Sequence, residues 1–456
     1  MQVFTSLARA LARHGRLLRW LAAGTVAAAV AQPALALPSF ARQTGMECAA
    51  CHVGAYGPQL TPAGIRFKLS GYTDSDGQGS KIPLSAMLVG GFDRTAKDLT
   101  DPPTEHTKSN NNAIAQEVSV FLAGRLADKL GAFVQTTYAG AERKTAIDNA
   151  ELRAADTFSV GGKDLIAGLS LNNNPTLSDP FNTAPAWRFP YMATELAPAP
   201  ASPLIAGGLG QHVLGVSAYG MYDNHYYAEL GTYKALSAST LDKLGLQDEV
   251  GRLTSNAYWR LAYFGDLKKQ AYHVGLFGLN AGVQPDRVQG PANRYNDIGI
   301  DASYQFLGTR EHIGTVYASY IHEKQKRDVA YANGEAENQS GTLKEMQLNA
   351  SYYYDQTWGL TASTFRTKGS SDALLYAPAP DMGSATGSPN TTGYMLQADW
   401  TPWGKESSWG SPWANLRLGA QYTWYTRFNG ESNNYDGSGR NARDNNTLYL
   451  FAWTSF

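Results

Sequence analysis

Cysteine is almost absent: Cys48 and Cys51 are the only two in 456 residues. That excludes a disulfide-stapled scaffold. Past the N-terminal leader no run of roughly eighteen consecutive apolar residues occurs, so no transmembrane helix is expected. Excess charge of one sign is missing too. Lys plus Arg count 38 against 39 Asp plus Glu, a net of −1, so there is no basic field for a nucleic acid and no nucleic-acid partner is expected. No phosphate-binding loop and no hydrolase triad is visible.

What is present starts with the two cysteines. They stand in Cys48-Ala49-Ala50-Cys51-His52, the Cys-x-x-Cys-His spacing of c-type haem attachment. In that chemistry both thiols add to haem vinyl groups and the next histidine takes one axial position on the iron. A disulfide between the two cysteines would not need the histidine. One covalent haem c on Cys48, Cys51 and His52 is therefore expected.

The N-terminus gives the compartment. Arg9, Arg13, Arg16 and Arg19 precede a short alanine-rich apolar run, Leu21 to Val30, and Ala34-Leu35-Ala36 has the small residues of a cleavage site. Residues 1–36 read as a secretory signal peptide, too short in its apolar part to span a membrane. Cleavage after Ala36 removes four arginines and takes the net charge from −1 to −5.

From about residue 81 the pattern is that of strands. They are expected near 82–92, 115–126, 131–139, 147–158, 164–171, 211–221, 225–236, 256–264, 269–281, 295–306, 311–325, 342–354, 357–368, 391–401, 413–428 and 446–456. Sixteen is an even number, as in bacterial outer-membrane barrels. Connections such as Asp128-Lys129-Leu130, Asp223-Asn224, Gly265-Asp266-Leu267-Lys268 and Asp355-Gln356 are short. Those at 93–114, 172–210, 237–255, 326–341, 369–390 and 429–445 are long. Counted from a periplasmic N-terminus, the short turns fall on the periplasmic side and the longest loops outside; 402–412 is the one long exception.

Alternation within strands agrees. Asp297, Asp301 and Ser303 oppose Ile298, Ile300 and Tyr304. Asn415, Arg417, Gln421 and Thr423 oppose Leu416, Leu418, Tyr422 and Trp424, and Glu117, Ser119 and Arg125 oppose Val118, Val120, Leu122 and Leu126. Period two sends one set toward lipid and the other toward a lumen. The 26 tyrosines and 10 tryptophans supply interfacial girdles, the 46 glycines suit strands and turns, and the chain ends on Phe456, as outer-membrane barrels do. The expected fold is all-β: an antiparallel outer-membrane barrel of about sixteen strands over residues 81–456, surrounded by outer-membrane lipid.

Residues 37–80 form the haem segment. It is too short to build a sufficient core alone, and a sixteen-stranded barrel has a lumen wide enough for a plug. The segment is expected in the lumen or at its periplasmic mouth, with a tethered periplasmic domain as the alternative. Thr61-Pro62 reads as N-cap and N1 of a helix running to about Leu69, which Gly71 ends.

Phe40-Ala41-Arg42-Gln43-Thr44-Gly45-Met46 leading into the haem pentad, then Pro58-Gln59-Leu60-Thr61-Pro62, Gly64, Phe67-Lys68 and Gly71-Tyr72, resemble the fused cytochrome–porin family of iron-oxidising bacteria. So do Leu171-Asn172-Asn173-Asn174-Pro175-Thr176 and Asp179-Pro180-Phe181-Asn182-Thr183 with Pro185 and Trp187. The resemblance runs along the mature chain. It implies a single c-type haem, a sixteen-stranded outer-membrane barrel and oxidation of extracellular ferrous iron. Electrons would pass inward, and a periplasmic c-type cytochrome or another soluble carrier is the expected acceptor. The other reading is a diffusion porin whose haem segment is a structural plug or a sensor.

Candidates for the second axial ligand are Met46, Met87, His106 and, behind them, the more distant histidines. Met46 sits two residues before Cys48, where reaching the opposite haem face is hard. His106 falls in a long outer loop. Met87 shares a strand face with Ser85, Val89 and Gly91; if Leu84, Ala86, Leu88 and Phe92 meet lipid, Met87 points inward. Methionine opposite histidine raises the reduction potential. The remaining histidines, His212, His225, His273, His312 and His322, read as interfacial or turn residues. Glu117, Glu151, Glu229, Asp297, Asp301, Glu345 and Asp399, among Arg125, Arg153, Arg260 and Arg417, read as a mixed-charge lumen wall.

Overall fold

The computed structural model describes residues 37–79, 81–405, 408–411 and 413–456; the expected signal peptide lies outside them. Sixteen strands are present: β1 Leu84–Thr95, β2 Asn112–Ala127, β3 Leu130–Ala139, β4 Lys144–Val160, β5 Lys163–Asn172, β6 Val213–Tyr222, β7 Tyr226–Ala235, β8 Arg252–Asp266, β9 Gln270–Gln284, β10 Asn293–Phe306, β11 His312–Lys326, β12 Ser340–Tyr354, β13 Trp358–Gly369, β14 Thr391–Trp400, β15 Asn415–Arg427 and β16 Thr447–Ser455. Each pairs antiparallel with its sequence neighbours, and β1 pairs with β16, so the sheet closes into a barrel. Closure pairs every strand edge, which is what a β-structure inside hydrocarbon requires.

Alternation decides which face is which. In β10, Asp297 and Asp301 are buried while Ile298, Ile300 and Tyr304 are exposed. In β2, Ser119, Phe121 and Ala123 face inward while Val118, Val120 and Leu122 face out. The outside is thus a continuous apolar band, the surface of a bilayer-spanning barrel. Exposed Tyr226, Tyr263, Tyr352, Tyr354, Trp358 and Trp400 ring its short-turn end, the position of an aromatic girdle.

Two segments fill the lumen. From the short-turn end enters the N-terminal segment 37–79, with helices Pro38–Thr44, Cys48–Cys51 and Pro62–Leu69. From the other end the connection 173–212 folds inward. Loop parity places this stretch outside; in the structure it turns into the lumen instead. Arg260 on β8 pairs with Asp179 of the loop at 3.0 Å and with Asp301 of β10 at 2.9 Å. Thr183 Oγ1 donates to Asp301 Oδ2 (2.6 Å), and Tyr317 OH donates to the Thr183 carbonyl (2.6 Å). Buried charges of both signs on the wall need partners, and the loop supplies one of them.

Two smaller corrections follow. Arg125 lies exposed at the short-turn rim, paired with Asp128 at 2.6 Å, rather than in the lumen wall. His273 is buried: its ring stacks on Phe181 (5.0 Å) and Nε2 lies 3.1 Å from Asp301 Oδ2. In the long exception among the short turns, Gly404 meets the N-terminal segment, where the Ala49 N–H donates to the Gly404 carbonyl (3.1 Å).

Candidate functional site

The pentad is held by a short, heavily cross-braced loop. Cys48–Cys51 is one helical turn, so the two thiol positions, three residues apart, share a helix face. His52 then turns extended and bridges antiparallel to Leu60. Val53 N donates to Gln59 O and Thr61 N to Cys51 O, both at 2.9 Å. Thr61 stands at the N-cap of helix Pro62–Leu69, but its hydroxyl donates to Ala50 O (2.6 Å) instead of capping its own helix. Gly64 lets that helix touch the Cys48–Cys51 turn, since a Cβ there would meet the Cys51 carbonyl oxygen at 2.5 Å. The helix ends at Gly71, φ +77°, in a Schellman arrangement: Tyr72 N donates to Phe67 O and Gly71 N to Lys68 O.

Barrel side chains satisfy the carbonyls this loop leaves open. Arg417 Nη2 donates to Gly54 O (3.1 Å), Asn415 Nδ2 to Ala55 O (2.7 Å), Gln305 Nε2 to Leu60 O (2.8 Å) and Tyr219 OH to Leu69 O (2.8 Å). Tyr72 OH donates to Glu151 Oε2 (2.6 Å). The segment is therefore seated in the barrel mouth, which replaces the core it is too short to form.

Lys68 joins the two lumen segments. Its Nζ donates to the Leu177 carbonyl and to Asn182 Oδ1, both at 2.8 Å, and lies 4.4 Å from the Trp187 ring. Asn182 Nδ2 donates back to the Pro58 carbonyl (2.8 Å). The two motif-bearing stretches of the sequence thus meet face to face.

Between the N-terminal segment, the inward loop and the barrel wall lies a cavity of about 290 Å³. Cys48, Cys51 and His52 line it, as do the thioethers of Met46, Met87 and Met192. Aromatic rings make up much of the apolar wall, among them Phe40, Tyr56, Phe67, Phe121, Trp187 and Trp453. Glu117 and Asp148 stand in the same lining. His52 Nδ1 is buried with no hydrogen-bond partner. Burial pushes the imidazole down to about 4, against the Gly57 backbone, and pushes the Cys51 thiol up to about 11. A neutral imidazole is the form that ligates a metal. Two thiols, an imidazole with an orphaned nitrogen, thioethers and flat apolar walls fit a covalently attached haem.

Of the sequence candidates, Met87 faces inward and is 7% exposed. Its sulfur accepts a hydrogen bond from Trp453 Nε1 at 2.9 Å. Met46 lines the same cavity, whereas His106, in the exposed connection between β1 and β2, does not. Met192 and Asp148 were missed. Met192 was hidden because it belongs to the loop placed outside; the dense Asn, Pro and Asp pattern of 172–185 was the available signal that this stretch is more than a surface loop.

No family model and no curated protein matches this sequence. Among solved structures, the chain is similar to in-vitro folded OmpT, an outer membrane protein of Vibrio cholerae (9% identity, 84% of this chain and 99% of that one, TM-score 0.41). It is also similar to the outer membrane channel DcaP of Acinetobacter baumannii (12%, 82% and 96%, TM-score 0.44). A third is the anion-selective porin from Comamonas acidovorans (11%, 82% and 98%, TM-score 0.43). These likenesses concern the barrel alone, which stands on its own closed strand ladder.

Proposed function

We propose that this chain is an outer-membrane electron-transfer protein of the cytochrome–porin kind, exported behind a cleaved leader at residues 1–36. Cys48 and Cys51 would bind one haem c covalently, and His52 and Met87 would hold its iron. Bound there, the haem supplies a one-electron ferric/ferrous couple. The observation that carries the reading is that both thiols, the imidazole and Met87 line one cavity inside the barrel.

The chain's own residues support this chemistry in two ways. His52 and Met87 offer the nitrogen and sulfur that favour a high potential, suited to taking an electron from ferrous iron. Tyr56, Phe67, Phe121 and Trp187 give the cavity flat aromatic walls against which a haem would pack. Ferrous iron is the proposed donor outside. Because the cavity lies toward the short-turn mouth, a periplasmic c-type cytochrome or another soluble carrier is the proposed acceptor there.

The second reading, a diffusion porin with the haem segment as plug or sensor, is favoured by the sixteen-stranded closed barrel itself. Proteoliposomes enclosing an oxidised soluble cytochrome c separate the two. Ferrous iron added outside should reduce the enclosed cytochrome with the intact protein and not with a Cys48→Ala, Cys51→Ala variant. Solute leakage without any reduction supports the porin reading and overturns the first.

A further inference from the structure

Met87 and Trp453 sit on the paired strands β1 and β16. Met87 is in register with Ser455, and Trp453 with Val89, so the two residues are diagonal neighbours on the inner face of the barrel seam. Trp453 Nε1 donates to the Met87 sulfur at 2.9 Å. Both side chains are buried, Trp453 at 9% exposed. The indole is in turn fixed by the haem segment: Tyr56 packs edge-on against it (4.6 Å, 63°), and the Tyr56 hydroxyl is 2.7 Å from Ser455 Oγ. Gly57 also runs beside the indole: a Cβ there would lie in van der Waals contact with it, at 3.6 Å.

We infer that Trp453 is a positioning residue for Met87, holding the thioether over the cavity and tuning it as a haem ligand; this rests on the proposed haem function. A thioether sulfur has two lone pairs, so accepting the indole N–H leaves one for a metal. The bond does two things. It removes rotamer freedom from a flexible side chain that would otherwise choose among several directions. It also withdraws electron density from the sulfur, which makes the sulfur a poorer donor to ferric iron and so favours the ferrous state. Seating of the haem segment through Tyr56 thereby becomes a condition for correct placement of Met87.

The test uses the full-length haem protein in detergent. Trp453→Phe keeps an aromatic ring and loses the N–H. It should retain covalent haem, lower the reduction potential and weaken the near-infrared methionine–iron band. Met87→Ala is measured beside it and should abolish the band. A Trp453→Phe protein with wild-type band and potential, next to a Met87→Ala protein that has lost the band, overturns the role of Trp453 and leaves the haem reading standing. A Met87→Ala protein that keeps band and potential overturns Met87 as ligand and the inference with it. Should Trp453→Phe not fold, Trp453→Tyr also removes the indole N–H and carries the same expectation.

Discussion

Gly54→Ala should unseat the haem segment while leaving the barrel intact. Gly54 follows His52 by two residues and has φ +68°, a conformation that costs an L-residue about 1–2 kcal/mol. A Cβ at this position would meet the Tyr353 ring of β12 at 2.3, 2.6 and 2.9 Å. Tyr353 is itself 2% exposed and has little room to give. Overpacking of this kind costs about 1–3 kcal/mol. Together the two penalties come to roughly 2–5 kcal/mol, which at about 1.4 kcal/mol per tenfold shifts seating by about thirtyfold to a few thousandfold. Limited proteolysis reads the result, because an unseated segment exposes residues 37–79. Gly314→Ala on β11 is the control, since a Cβ there has nothing within 4 Å. Wild-type protease resistance in Gly54→Ala would refute the seating argument.

A Cys48→Ala, Cys51→Ala double variant should lose its haem band on denaturing gels stained for peroxidase activity; a full-strength band would contradict thioether attachment. The protein should need detergent for extraction, show a mainly β circular dichroism spectrum and change gel mobility on heating, whereas recovery as a soluble protein would contradict the barrel. Burial pushes the Lys68 ammonium down to about 7. A lysine lowered in the folded state binds fewer protons there than when undocked, so docking tightens as pH rises between about 7 and 9. That gain is on the order of 2 kcal/mol, and melting or proteolysis across this window should show it in the wild type and not in Lys68→Met.

The barrel was legible because lipid and lumen impose period two on every strand. Asp297 and Asp301 against Ile298 and Ile300 carry that signal locally, and strand ends differ from the sequence reading by only a few residues. The face of Met87 followed from the same alternation. What could not be read is where polar, proline-rich chain goes once it leaves a strand. Residues 173–212 fold inward because Asp179 meets Arg260, Thr183 meets Asp301 and Asn182 meets Lys68, contacts between residues about 80 to 120 apart in sequence. Met192 and the inner role of His273 were lost with that loop. Arg125 was misplaced for another reason: it lies where β2 meets its turn, and the pairing slips between Arg125 and Ala127, so strand parity no longer assigns a face.

On the proposed function, the cavity behind Cys48, Cys51 and His52 holds a haem that takes electrons from ferrous iron. Absorption spectra of membranes containing the oxidised protein, recorded during stepwise addition of ferrous iron without oxygen, test it most directly. The expected result is a c-type spectrum that becomes reduced at one haem per iron added. A haem that stays oxidised through excess ferrous iron, in a protein that nevertheless passes small solutes, would contradict it.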